Sequence, residues 1–224
     1  MRKCLICERT IHHQRTIADL LLLNNHFPVI CSACDTQFEK IGLTNRCQGC
    51  GRQRGLMCHD CQRWQKTMGF LLHNRSLYHY NAAMKQYMHD YKFMGDYRLR
   101  LVFMDELSQL VTERRPDLIL PIPVDEYTCR TRGFNQVEGM LNIHVDRNIL
   151  LTRQVAKVTP QSAKSRQERL RTAQPFKLVQ PELLLNKRIV IVDDIYTTGR
   201  TLYYAATLCR QAGCQQVWSV TLAS

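Results

Sequence analysis

The sequence predicts an α/β protein, a mostly parallel sheet flanked by helices, set behind a small cysteine-rich amino-terminal head. Three observations carry that reading. Eight of the eleven cysteines fall as four Cys-x-x-Cys pairs before residue 62. From about residue 70 onward, strand-like and helix-like stretches alternate, the pattern of a parallel sheet with ligands at the carboxyl ends of its strands. One of those strands, Ile189-Val190-Ile191-Val192, runs straight into Asp193-Asp194 and a hydroxyl-rich turn. At 224 residues the chain has room for one full α/β domain and an appendage. We draw the division at residues 1–65 and 70–224.

The head comes first. Apart from Ile17 to Leu23 it has little periodic apolar structure, so it cannot build a core of its own and needs staples. The longest apolar run, around Leu20 to Leu23, is broken by Asp19 and Asn24 and falls far short of the ~20 residues that cross a bilayer. Met-Arg-Lys-Cys at the start lacks an apolar signal region. These features predict a cytoplasmic chain without membrane insertion, a compartment that keeps thiols reduced and disfavours disulfides. Two residues between cysteines let both thiolates of a tight turn face one ion, and four pairs supply the ligands of two closed tetrahedral zinc sites. Sequential pairing puts Cys4, Cys7, Cys31 and Cys34 on one zinc and Cys47, Cys50, Cys58 and Cys61 on the other, a double zinc ribbon. An interleaved pairing is the alternative. Gly51 suits the backbone of a metal-binding knuckle, and His59 is expected outside the ligand set.

In the body, Leu77-Tyr78-His79-Tyr80 reads as a short strand. Met84, Met88 and Tyr91 follow at helical spacing, and Leu99, Phe103, Leu107 and Leu110 or Val111 repeat it in a second helix. Asp117 to Pro121 is a strand punctuated by Pro116, Pro121 and Pro123. Arg188 to Val192 is a β-branched strand suited to burial on both faces. A helix from about Thr201 to Ala212 stops at Gly213, and Val217 to Leu222 is the last strand.

The turn between those last elements carries the chemistry. Loop amides and the first turn of a helix, with positive dipole character, suit a phosphate dianion. Thr197, Thr198 and Thr201 add hydroxyls. Asp193 and Asp194 would repel a phosphate beside them, so they should meet proton donors, and ribose 2′ and 3′ hydroxyls fit. A bare metal-binding acidic pair would leave the threonines and Gly199 unexplained.

This stretch, Ile189 to Thr201, closely resembles the 5-phosphoribosyl 1-pyrophosphate (PRPP) motif of type I phosphoribosyltransferases. Further blocks extend the likeness: Tyr91-Lys92-Phe93 with Gly95-Asp96, Pro121-Ile122-Pro123, Arg132-Gly133-Phe134-Asn135-Gln136, Pro160-Gln161, Arg166 and Arg169. With the cysteine pairs they resemble the ComF family of competence proteins over nearly the whole chain. The resemblance implies a phosphoribosyltransferase-like sheet domain behind a zinc-binding head. It assigns Asp193 and Asp194 to the ribose as the catalytic pair, with Mg²⁺ accompanying PRPP. Thr197, Thr198, Gly199, Arg200 and Thr201 would hold the 5′-phosphate, and Arg132 the pyrophosphate. It implies a part in natural transformation, the import of single-stranded DNA alongside a ComFA-like ATP-dependent DNA translocase. Where many family members carry a basic residue, this chain has Val124-Asp125-Glu126-Tyr127-Thr128-Cys129, two acids and no base before Arg130, which weakens the case for pyrophosphate transfer but not for ribose-phosphate binding. An active phosphoribosyltransferase of nucleotide salvage or synthesis is the alternative to a binding module.

Charge bears on the partner. Thirty-one Lys and Arg against nineteen Asp and Glu give a formal net charge of +12, a surplus that favours polyanions. Lys164, Arg166 and Arg169 head a basic cluster between Arg153 and Arg171 that would follow a DNA backbone, the alternative being a solvated helix face. Stacking aromatics are sparse there. Trp64, Tyr78 and Tyr80 lie elsewhere and suit packing.

Overall fold

The computed structural model describes residues 2–11, 27–153 and 174–224. In the head, β1 (Arg2–Lys3) pairs antiparallel with β2 (Thr10–Ile11). Two helices follow, α1 (Ser32–Asp35) and α2 (His59–Met68). The body then runs β3 (Asn74–Tyr78), α3 (Ala82–Phe93), a 3-10 turn (Tyr97–Val102), α4 (Met104–Thr112) and β4 (Leu118–Pro121). Next come α5 (Glu126–Arg132), α6 (Gln136–Gly139) and the antiparallel pair β5 (Leu150–Thr152) and β6 (Phe176–Leu178). The chain closes with β7 (Arg188–Ile195), α7 (Arg200–Gln211) and β8 (Gln216–Ala223).

β3, β8, β7 and β4 form one four-stranded sheet in that order, every neighbouring pair parallel. β7 lies inside it and is buried on both faces, so its first half, Ile189 to Val192, is a continuous apolar run. Val190 and Val192 pack with Met84, Met88 and Tyr91 of α3 and Leu107 and Val111 of α4. Ile189 and Ile191 face the other way, onto Leu202, Ala205, Ala206 and Cys209 of α7. Helices on both faces leave the carboxyl edge of the sheet as the open rim. Among the described residues, no helix is long and apolar enough to cross a membrane.

Three elements differ from expectation, each for a physical reason. The first strand lies at Asn74–Tyr78 rather than 77–80. Its inward side chains include Asn74 and Ser76, and polarity hid them. They are paid for by hydrogen bonds: Asn74 Nδ2 donates to Cys50 O at 3.1 Å, Ser76 Oγ at 3.0 Å and Thr221 Oγ1 at 3.2 Å, and Ser219 Oγ donates to Asn74 Oδ1 at 2.9 Å. The second helix is two pieces. Asp96 caps the 3-10 turn by accepting from Arg98 N at 3.1 Å, and Phe103, at φ −119, separates that turn from α4. Leu99, Phe103, Leu107 and Leu110 are all buried regardless, because the break preserves the side they present. β7 runs on through Asp193 and Asp194 to Ile195, in register with β8 as Asp193 against Thr221 and Ile195 against Ala223.

Candidate functional site

The acidic pair sits at the carboxyl end of β7, inside the strand. Alternation along the pleat sends Asp194 to the face of Val190 and Val192 and Asp193 to that of Ile189 and Ile191. Asp194 thereby meets α3. Its Oδ1 accepts from the Ile195 amide at 2.7 Å, while Oδ2 takes no conventional hydrogen bond and instead forms an ion pair with the Lys92 ammonium. Asp193 accepts from the Asp194 amide at 2.9 Å. Burial pushes its carboxyl well above the usual carboxylate range, and the adjacent Asp194 charge pushes further. The arrangement is one carboxyl group paired with a lysine beside a second inclined to keep its proton, able both to accept and to donate hydrogen bonds.

Beyond Ile195 the chain turns through Tyr196, Thr197, Thr198 and Gly199 into α7. Gly199 caps the helix in the left-handed region, at φ +78. A side chain there would meet the Tyr196 ring, since a Cβ would lie 2.2 Å from Tyr196 Oη. Thr198 Oγ1 accepts from the Arg200 amide at 3.4 Å, whereas Thr197, Thr198 and Thr201 are all exposed. Arg200 directs Nε to Tyr204 Oη at 3.2 Å. The carbonyls of the turn face the head: Arg52 Nη2 donates to Tyr196 O and, at 2.8 Å, to Thr197 O, and Trp64 Nε1 donates to Thr198 O at 2.8 Å.

Arg132 is committed to its own neighbourhood. It donates from Nε to Lys92 O at 3.1 Å, from Nη1 to Gln136 Oε1, and lies 5.8 Å over the Phe93 ring. It therefore buttresses the helix end that carries Lys92. The two acids after Pro123 have structural partners. Asp125 caps α5 by accepting from Thr128 N at 2.8 Å, and Glu126 pairs with Arg130 one turn on. They border an open cavity of about 1240 Å³ whose far side is Leu151 to Arg153 and Lys177. Lys164, Arg166 and Arg169, with Pro160 and Gln161, lie outside the described residues. Of the three aromatics set aside for packing, Tyr78 is buried, Trp64 stacks on Tyr203 at 4.6 Å and 14°, and Tyr80 is exposed.

The cysteine pairs come together as two groups, Cys4, Cys7, Cys31 and Cys34, and Cys47, Cys50, Cys58 and Cys61, with all sulfurs of a group within 4.8 Å of one another. His59 is exposed and belongs to neither. A tetrahedral ion with Zn–S bonds of ~2.3 Å needs sulfurs about 3.8 Å apart. Cys7 and Cys31 stand 3.7 Å apart and Cys50 and Cys58 3.8 Å. In each group an amide also donates to a sulfur, Cys31 N to Cys4 Sγ and Cys58 N to Cys47 Sγ, both at 3.3 Å. Burial works against ionising Cys4, but the backbone donors of Cys7, Cys31 and Ile6 outweigh it and draw the thiol down to about 6. Hydrogen bonding from Cys61 draws Cys50 down to about 5, and the same contact pushes Cys61 up. Such a set suits a divalent ion, which lets every sulfur ionise. Gly51 has φ +77, and a Cβ there would sit 2.7 Å from Asn74 O, so the second knuckle lies flat against the end of β3.

Sequence reasoning missed Lys92, Arg52 and Trp64 as parts of this site. Lys92 stood only within a block of resemblance. Arg52 and Trp64 follow cysteines closely, but no spacing indicates that they reach the loop of β7.

The phosphoribosyl transferase domain family matches residues 145–224. "Competence protein ComFC" of Streptococcus pneumoniae (strain ATCC BAA-255 / R6) is 37% identical over 225 residues, covering 98% of this chain and 99% of that protein. "Competence protein ComFC" of Bacillus subtilis (strain 168) is 31% identical over 94% of this chain and 89% of that one. "Competence protein F" of Haemophilus influenzae (strain ATCC 51907 / DSM 11121 / KW20 / Rd) is 23% identical over 87% of this chain and 90% of that protein.

Proposed function

Since the chain belongs to the ComF family of competence proteins, we propose that it binds PRPP at the rim of β7 and acts in the import of single-stranded DNA during natural transformation. The observation that carries the reading is the sequence of groups at that rim: a carboxyl pair, then a turn with exposed hydroxyls, then a helix start. Asp194, with Lys92 beside it, and Asp193 face the ribose hydroxyls. Asp193, inclined to keep its proton, can donate to one oxygen and accept from another. Thr197, Thr198 and Thr201 and the amides around Gly199 take the 5′-phosphate, with Arg200 adding charge. Mg²⁺ would neutralise the pyrophosphate when bound. Arg132 supports this site through the Lys92 carbonyl and is the charge partner this reading gives the pyrophosphate. The two cysteine groups would each hold a structural zinc.

The partners in this reading are single-stranded DNA and a ComFA-like ATP-dependent translocase. The net charge of +12 supports the first, and the family supports the second. A thermal-shift titration tests the ligand. At a hundredfold excess over Kd, a ligand that binds only the native state stabilises it by about 2.7 kcal/mol, or about 5–10 °C for a chain of this size. Mg·PRPP should give that shift in the wild type, and Asp193→Asn with Asp194→Asn should remove it. A full shift in the double variant would place the ribose elsewhere.

A further inference from the structure

The loop between β7 and α7 is gripped from one side by the ribbon of the second cysteine group. Arg52 stands two residues beyond Cys50 and Trp64 three beyond Cys61. Between them they take three successive carbonyls, Tyr196, Thr197 and Thr198. A trans peptide is planar, with its C=O and N–H pointing opposite ways. Tying those carbonyls to the ribbon therefore turns the amides of Thr197, Thr198 and Gly199 toward the open rim. Among the described residues, none of the three amides has a protein acceptor.

The ribbon that makes this grip is itself anchored to the sheet. Cys50 O accepts from Asn74 Nδ2 at 3.1 Å. The Trp64 ring lies on Tyr203 in the first turn of α7, and the Tyr203 hydroxyl accepts from Leu72 N at 3.2 Å. One side chain thus fixes both the loop and the helix that follows. The other cysteine group packs with Phe38, Tyr87 and Phe103 on the opposite face of the sheet, and among the described residues no hydrogen bond joins it to the loop. It serves as an internal control.

We infer that Arg52 and Trp64 are positioning residues: the ribbon closed by Cys47, Cys50, Cys58 and Cys61 presets the loop amides for a phosphate monoester, and metal held there and anion held at the loop strengthen one another. The inference rests on the phosphate-site reading above and gives the metal ribbon a part in it. An anion that binds a loop already ordered has less ordering to offset. Reciprocity requires the anion to tighten the metal by the same factor.

The test uses the zinc-loaded full chain with Arg52→Met and Trp64→Phe combined. Methionine keeps the aliphatic stem, and phenylalanine keeps a ring on Tyr203 without the N–H. Backbone relaxation by NMR reads the loop without any ligand. Order parameters of Thr197 to Gly199 should fall from about 0.85 toward 0.6, with two zinc ions still bound. Binding of ribose 5-phosphate should weaken about tenfold, the worth of one to two hydrogen bonds. In the wild type, ribose 5-phosphate should raise the chelator concentration needed to remove one of the two zinc ions and leave the other unmoved. Unchanged order parameters in the variant overturn the inference, as does a wild type that binds ribose 5-phosphate while zinc at both groups stays indifferent to it. Ribose 5-phosphate binding equally to both proteins with the loop still ordered leaves the phosphate reading standing and the positioning role refuted. A loosened loop in a protein that never binds the ester does the reverse.

Discussion

Replacing Gly199 with alanine separates two costs that usually arrive together, and Gly69 supplies the comparison. Both residues occupy the left-handed region, at φ +78 and φ +74. A Cβ at Gly69 meets nothing within 4 Å, whereas at Gly199 it would lie 2.2 Å from Tyr196 Oη and 2.5 Å from Cζ. Tyr196 cannot swing aside freely, since its ring is buried and Arg52 lies 5.5 Å from the ring centroid. The left-handed backbone alone costs a β-carbon about 1–2 kcal/mol, and overpacking adds about 1–3 kcal/mol. Gly69→Ala should therefore destabilise by about 1 kcal/mol and Gly199→Ala by about 3, a gap of about 2. At about 2–4 °C per kcal/mol for a chain this size, the melting temperatures should differ by about 4–8 °C. Urea unfolding of the zinc-loaded protein measures the same gap independently. Two variants within about 0.5 kcal/mol of each other, an ordinary surface difference, would refute the close approach of Tyr196 to the helix start.

Three further outcomes concern the site, the head and the basic cluster. Asp193→Asn should be more stable than the wild type near neutral pH. The folded pKa of Asp193 is raised by burial, so its contribution is intact below the unfolded value of about 3.9 and is lost as pH rises toward the folded pKa; the advantage of the variant should vanish near pH 4, and an advantage independent of pH would contradict the protonated reading. Elemental analysis should find two zinc ions per chain, and Cys47→Ser should retain one, at the group of Cys4, Cys7, Cys31 and Cys34; two ions surviving in the variant would dissolve the second group. For single-stranded DNA, replacing Lys164, Arg166 and Arg169 together should flatten the salt dependence by roughly two units, at about 0.7 per phosphate contact; a slope equal to the wild type would clear this cluster of backbone contact.

Much of the fold was legible because its strongest signals are local. A strand buried on both faces writes itself as an unbroken β-branched run, and Ile189 to Val192 did so. Cysteines with two residues between them mark each half-site locally, and the two sulfur groups follow chain order. β3 was less legible because its inward side chains are polar. Asn74 and Ser76 serve Cys50, Thr221 and Ser219, and all three partners are distant in sequence. The break at Phe103 hid for the opposite reason, since the buried side stays continuous across it.

The site divides along the same line. Asp193, Asp194 and the Thr-Thr-Gly turn lie on one short stretch whose residue types state their chemistry. What orients that stretch comes from three other places: Lys92 at the end of α3, Arg52 in a knuckle and Trp64 on α2. Each has a plain local explanation, a basic helix end, a surface arginine, an apolar helix face, and none advertises a partner more than a hundred residues away. Arg52 and Trp64 take backbone carbonyls and Lys92 pairs with the Asp194 carboxylate, and residue types along a sequence carry no record of such distant pairings. A reading from residue types alone therefore finds the stretch that bears the candidate groups before the distant side chains that hold it. The cysteine-rich head looks like a separate stapled unit in the sequence, but through Arg52 and Trp64 it forms one wall of the loop between β7 and α7.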